Sequence, residues 1–556
     1  MISFTRSRAA VFVAATLSIA LSTLAVSAGR WELGVCVVYV AAFVVATLSV
    51  SQGKVVTASD AKGYLLIFWF ALTPIASFFI RFPVDKSVVS FDRLMIGGLG
   101  LMLVVDEFAP FLRFLQQGLA TAGSASEQVK SKGASPWIGS RRGITATKFE
   151  LCFALLAAIA VASVGTRSMH IASSLRIAID AMVLPLIAFR LARRWLNRDW
   201  QLRLVVFSAI FLSIFLVVTG GYEFFTGFNL FPYKGSQLLR EGELRVNGPF
   251  VADTSFALIS LLLAVFLLGA PRILTRLGSR SRLVAALGAL PAIVAAFLPL
   301  FRAVAVTLAI CWAMMLMLNG RKRQAKPVSE VGSERGKGIG YAGNRAFPLP
   351  SGGVVNIRPV LIAGVLLAVF LGVAVAVGGV STIARLTSAR NILGRLVSQQ
   401  VAVKIWMSHP VLGVGLGNYT DYFARQYVGG RSYLETLLDT HVANTTHSNI
   451  LWVASELGAV GLIFYLLANV YLFTLGWHAF RRPANRKARA AAVCYLAVLA
   501  SYWIMGLALN TGFYWDINLY YFFTLGMLSA HFGGRDTPDS ENLEGLRYNQ
   551  GAGALA

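Results

Sequence analysis

Apolar runs of about 17 to 25 residues recur from one end of this chain to the other, each long enough to cross a hydrocarbon layer of roughly 30 Å as an α-helix. About fourteen such runs can be threaded. This leaves few folding options, because inside a bilayer every backbone amide has to be bonded within the protein. The expected fold is all-α: a polytopic membrane helical bundle of about 14 transmembrane helices, with residues 1–556 forming a single domain. Composition agrees, since 56% of the residues are hydrophobic and only 13% charged. Arg6 and Arg8 precede the first run in the manner of a signal peptide, but its length and the second run close behind favour a retained helix.

A formal charge of +25 raises the question of nucleic acid, yet the Lys and Arg residues sit in short clusters between the runs, without an aromatic-interleaved basic domain. No nucleic-acid partner is expected; the lipid bilayer is. The clusters lie in residues 113–148, 190–203, 271–282, 320–358 and 481–489. Threading places all of them on one face together with both termini, and the positive-inside rule makes that face the cytoplasm. Residues 117–147 and 324–357 read as flexible cytoplasmic linkers and 534–556 as a cytoplasmic tail. The extracytoplasmic face receives residues 221–252 and a large loop, 381–446, just before the twelfth crossing. From 283 to 319 the only charged side chain is Arg302, and an unbroken helix there would be roughly 50 Å long. A break at Pro299 gives two ordinary crossings and sets Arg302 at the outer boundary.

Chemistry is therefore sought on the outer face. His447 opens the twelfth crossing, and helical spacing puts Gly458 and Gly461 on its side. That spacing admits two readings: a close helix contact capped by an interfacial histidine, or a general base beside a tightly packed helix. Arg302, Arg390 and Arg395 share the outer face, where they break an otherwise clean positive-inside pattern. One arginine there can snorkel to lipid phosphate, but three together with a histidine suit an anionic ligand. Arg245, His409, His441 and Asn449 are further candidates for the same region. The glycines of "HPVLGVGLGNY", residues 409–419, are not a nucleotide loop, because no GK[ST] follows; they read as a backbone turn. Glu456 lies inside the crossing, where a structural hydrogen bond to another helix is the expected role. Cys36, Cys152, Cys311 and Cys494 lie in apolar runs with no CxxC spacing, so no disulfide or zinc framework is indicated. No cofactor is called for, and with no paired acidic motif on the outer face metal-independent chemistry is expected.

"HSNILWVASELGAVGLIFY" resembles the signature of the O-antigen ligase and polymerase superfamily, a histidine followed about ten residues later by a GxxG inside a membrane helix. "HPVLGVGLGNY" is similar to that family's His-Pro-x-x-Gly-x-Gly turn, and "GRLVSQQVAVKIWMSHP" to the arginine-led amphipathic segment before it. "LPLFRAVAVTLAI" resembles its outer arginine, with Phe301 where Ser is common; "LRVNGPFVADTSFALISLLL" resembles a loop-to-helix segment, with Asp253 and Thr254 in place of an Asn-rich pair. The resemblance implies a glycosyltransferase of the bacterial inner membrane, with a polyprenyl-pyrophosphate-linked glycan as donor and a glycan or lipid A-core as acceptor. His447 would match the base, and Arg302 and Arg395, or Arg390, the arginines that hold pyrophosphate. A transporter or flippase for an anionic lipid-linked glycan is the competing class.

Overall fold

The computed structural model describes residues 34, 36–41, 58–79, 81–82, 89–121, 141–231, 239–240, 243–244, 246–274, 287–299, 301–320, 389–423 and 446–533. The linker 324–357, the tail 534–556 and residues 122–140 and 424–445 lie outside them. The described chain is helices joined by turns and loops, with two antiparallel ladders of two residues a side, Arg81–Phe82 with Val89–Ser90 and Leu239–Arg240 with Glu243–Leu244.

The helices are α1 (Ala58–Phe79), α2 (Phe91–Thr121), α3 (Arg141–Arg167), α4 (Ile171–Trp195), α5 (Asp199–Thr226), α6 (Asp253–Ile273), α7 (Ala289–Phe297), α8 (Arg302–Gly320), α9 (Ala389–Ser408), α10 (Tyr419–Phe423), α11 (Asn449–Arg481), α12 (Arg486–Ala508) and α13 (Trp515–Ala530). Among the described residues six helices are long and apolar enough to cross a membrane: α3, from Thr145, α4, α5, α6, α11 and α12. Apolar side chains such as Leu101, Val105 and Val470 stay exposed on the outside of the bundle, as a lipid-facing surface requires. The helix break near Pro299 is present, since α7 ends at Phe297 and α8 begins at Arg302.

α6 is the most enclosed of the six, 83% buried over its apolar window against 44% for α11, so it forms the centre and α11 part of the wall. Gly269 of α6 lets α12 approach so closely that a Cβ there would lie 2.6 Å from the Cys494 sulfur. The four cysteines are free thiols. α4 contains one π-helical segment, Ile179–Val183, which ends two residues before Pro185. Proline cannot donate to the carbonyl four residues back, and widening the turn accommodates the missing bond.

One end of the bundle is an ion-pair belt. There Arg190 meets Glu107 at 2.7 Å, Arg193 meets Glu150 at 3.2 Å, Arg198 meets Asp60 at 2.6 Å, and Lys487 pairs with Asp199. Arg489 donates to the Leu318 carbonyl at 3.2 Å, which brings the far end of α8 to the same belt. The basic clusters at 190–203 and 481–489, distant in sequence, thus share one end of the bundle. Arg302 at the start of α8 and Asn449 at the start of α11 occupy the other.

Candidate active site

The second end is organised by a broken helix. Gly458, inside α11, has φ 66° and ψ −165°, so the helical ladder stops there. In an intact helix the Ala459 and Val460 amides would bond to the Ser455 and Glu456 carbonyls. Instead Ala459 donates to the Pro410 carbonyl at 2.8 Å and Val460 to the Val411 carbonyl at 3.2 Å. The vacated Ser455 and Glu456 carbonyls accept from Val414 at 3.0 Å and Gly415 at 2.9 Å. A segment of the 409–419 turn therefore threads the gap and satisfies these four groups. Gly413, Gly415 and Gly417 all have positive φ, at 62°, 96° and 83°, as expected of a glycine-dependent turn.

Side chains fasten the same turn from three directions. Glu456 accepts from the Gly417 amide at 3.0 Å and from the Tyr419 amide, the first of the short α10, at 3.1 Å, so its partners are backbone amides where the turn enters α10. Arg167, at the end of α3, donates to the Gly413 carbonyl at 2.8 Å. Asn418 donates to the Arg167 carbonyl at 2.9 Å and the Val414 carbonyl at 2.8 Å, and accepts from the Met169 amide at 3.1 Å. α9 rests on this turn through a small core of its own, in which Val401, Ala402 and Ile405 pack with Val414, Tyr419 and Phe423. The Tyr419 hydroxyl donates to the Ser398 carbonyl at 2.9 Å.

His447 lies two residues ahead of α11 rather than within it. Its φ of +50° makes it the only non-glycine with positive φ among the described residues. Such a backbone costs about 1–3 kcal/mol. Buried neighbours on both sides hold it, with the Thr446 hydroxyl donating to the Ser448 carbonyl at 2.8 Å. Because His447 is not helical and α11 breaks at Gly458, the helical arithmetic that placed Gly458 and Gly461 on its side does not apply. Gly458 serves the crossing of the turn instead, while a Cβ at Gly461 would meet the Leu457 side chain of α11 itself. The His447 carbonyl accepts from Gln399 of α9 at 3.5 Å. This links His447 to the helix that carries Arg395, which is half-buried, and Arg390, in the first turn.

Arg302 heads α8 at the same end, and among the described residues its guanidinium has no hydrogen-bond or ion-pair partner. His409 is half-buried, its ring 3.0 Å from the Ser408 hydroxyl and edge-on to Tyr422. Asn449 is buried, donating to the Thr511 hydroxyl at 2.6 Å and accepting from the Gly512 amide at 2.9 Å, which ties α11 to the α12–α13 turn. Behind it a small cavity is lined by Met182, Trp452, Val453, Tyr465, Tyr502 and Gly512 among others. Arg245 and His441 lie outside the described residues.

Buried acids at this end that the sequence analysis does not single out include Asp180 and Glu223. Asp180, on the π-turn of α4, is gripped by Arg93 at 2.8 and 2.5 Å and approached by Arg176 at 3.5 Å. Glu223, near the end of α5, accepts from the Asn247 and Gly248 amides at 3.1 and 2.6 Å and from Asn229 at 3.2 Å, fixing the chain just past Arg245. The signal was available in both cases: a lone carboxylate inside an apolar run is expensive unless something inside the protein binds it.

Fold and site together define a multi-pass helical membrane protein with a glycine-built turn, arginines and a strained histidine gathered at one end. Residues 301–466 match the family model described as O-antigen ligase. The match opens beside Arg302, spans the turn and the helix break, and closes beyond His447, so the chain carries the O-antigen ligase-type domain that its motifs resemble. No curated protein matches the chain.

Proposed function

We propose that this protein is a metal-independent glycosyltransferase of the bacterial inner membrane. It transfers or polymerises a polyprenyl-pyrophosphate-linked oligosaccharide onto an acceptor sugar hydroxyl during assembly of surface polysaccharide, O-antigen or exopolysaccharide. The observation that carries this reading is the family match over residues 301–466, which contains Arg302, Arg395 and His447 in one stretch. The ion-pair belt then faces the cytoplasm with both termini, and the threaded turn faces outward.

His447 takes the proton from the acceptor hydroxyl as its oxygen attacks the anomeric carbon, and the bond from that carbon to the diphosphate oxygen breaks with inversion. Arg302 and Arg395 hold the departing diphosphate; fixed guanidinium groups at a partly desolvated site stabilise charge that grows on the leaving group. The half-exposed setting of His447 and the guanidinium of Arg302, which has no partner among the described residues, suit these roles.

The test is transfer in proteoliposomes containing a polyprenyl-pyrophosphate oligosaccharide and a glycan or lipid A-core acceptor, with and without chelator. Glycosidic bond formation that survives chelator and is lost in His447→Ala supports the proposal. Relocation of the lipid-linked glycan with no new bond would overturn it in favour of transport.

A further inference from the structure

We infer that Glu456 is a positioning residue for glycan transfer, holding the turn and the Arg395-bearing helix on α11, which carries His447 at its head; this rests on the function proposed above. The links are contacts between named atoms, three of them at 2.9–3.1 Å and the last, from Gln399 to His447, longer at 3.5 Å. The two Glu456 carboxyl oxygens accept from Gly417 and Tyr419, at 3.0 and 3.1 Å. Tyr419 in turn donates through its hydroxyl to the Ser398 carbonyl at 2.9 Å, three residues beyond Arg395 on α9. The next residue of α9, Gln399, donates to the carbonyl of His447. Glu456 is itself carried by α11, nine residues past His447. The contacts close a ring from His447 down α11 to Glu456, across the turn to α9, and back to His447.

Glu456 is where that ring holds α9 in register. The satellite core of Val401, Ile405, Val414 and Phe423 is apolar and non-directional, so it can hold α9 down without fixing how far the helix slides along the turn. Two hydrogen bonds from one carboxyl group to amides two residues apart fix the turn, and Tyr419 with it, on α11. The tyrosine between them carries the register to Ser398. Glu456 thus acts on the diphosphate through Arg395 and takes no proton from the acceptor.

The experiment compares Glu456→Gln with the unaltered protein in proteoliposomes, measuring kcat and the donor KM over a range of pH. A glutamine can accept one of the two amide bonds but turns an NH2 toward the other, so α9 loses its register. The expected result is a donor KM raised on the order of tenfold, with kcat at saturation changed less and the pH midpoint assigned to His447 unmoved. Tyr419→Phe, which removes only the hydroxyl bond to Ser398, should raise the same KM in the same direction and by less. It keeps the test decisive where Glu456→Gln does not fold. An unchanged donor KM in either folded variant overturns the inference, as does a loss confined to kcat or a shifted pH midpoint. His447→Ala, run in parallel, separates the failures: if it still transfers glycan the proposed function falls, whereas a dead His447→Ala beside an unchanged Tyr419→Phe removes only the role of Glu456.

Discussion

Replacing Gly458 with alanine tests whether the threaded helix break holds the outer end together. The backbone at φ 66°, ψ −165° is nearly closed to any residue with a Cβ, and forcing one there costs about 1–3 kcal/mol. Space is the larger obstacle: an added Cβ would lie 2.3 Å from the Val411 oxygen and 2.5 Å from the Gly413 nitrogen, backbone atoms with no rotamer to escape into. The cheaper route is for α11 to straighten and expel the turn. Straightening restores two helical bonds in place of the four exchanged ones, a net loss of two, or about 1–3 kcal/mol. The Glu456 bonds to Gly417 and Tyr419 go with the turn, each worth about 1.5–3 kcal/mol where the acceptor is charged. Allowing for partial resolvation of the expelled amides, the expected destabilisation of this end is on the order of 4 kcal/mol. Hydrogen exchange reads it locally: the Val414, Gly415, Gly417 and Tyr419 amides should exchange about a thousandfold faster, while amides of α6 and α12 keep their protection. Gly98→Ala, at an exposed helical position with nothing near its Cβ, should leave both unchanged. Full protection of the four amides in Gly458→Ala would refute the account.

His447→Gly removes the imidazole and the positive-φ strain together, so the thermal midpoint should hold or rise slightly while transfer falls by about 10²–10⁴. Asp180→Leu should cost about 3–5 kcal/mol in chemical unfolding by removing the carboxylate that holds Arg93, and Arg93→Met added to it should recover part of that loss. His531 is buried at the belt end, where desolvation, helped by nearby Lys487, pushes its pKa down to about 3. The folded state then refuses a proton that the unfolded chain accepts below about pH 6.5. Stability should hold above that pH and fall as pH drops toward 3, by about 2 kcal/mol at pH 5 in a thermal melt, and His531→Phe should flatten the acid limb.

The bundle was legible because its determinants are local and repeated: runs of apolar residues, charge clusters between them, and the proline before Arg302. Residues 409–419 were legible as a turn because only glycine accepts the backbone that Gly413, Gly415 and Gly417 adopt. The partner of that turn was not. Helical periodicity assumes an unbroken helix, and nothing in "SELGAVG" distinguishes a glycine that packs against a neighbour from one that lets a loop pass through. The same assumption put His447 on the helix. For Glu456 a hydrogen bond could be expected but its partners could not be named, since backbone amides leave no mark in a sequence. Asp180 and Glu223 show the reverse: the charge stands out in an apolar run, while its partners, Arg93 and the Asn247–Gly248 amides, are 87 and about 24 residues away.

A non-helical backbone at membrane depth persists only where protein satisfies its polar groups. Here neither segment meets that condition alone. Without the turn, the break in α11 would leave the Ser455 and Glu456 carbonyls and the Ala459 and Val460 amides unpaired; without the break, the turn would have nowhere to place Val414 and Gly415. The two must therefore dock as one step, and each brings part of the site with it: α11 carries His447 at its head, and the turn carries α9 with Arg395 through the satellite core. Assembling the site and satisfying the buried backbone are one event, which is why the determinants of the geometry are glycines and main-chain bonds, while the groups proposed to do chemistry stand at its rim.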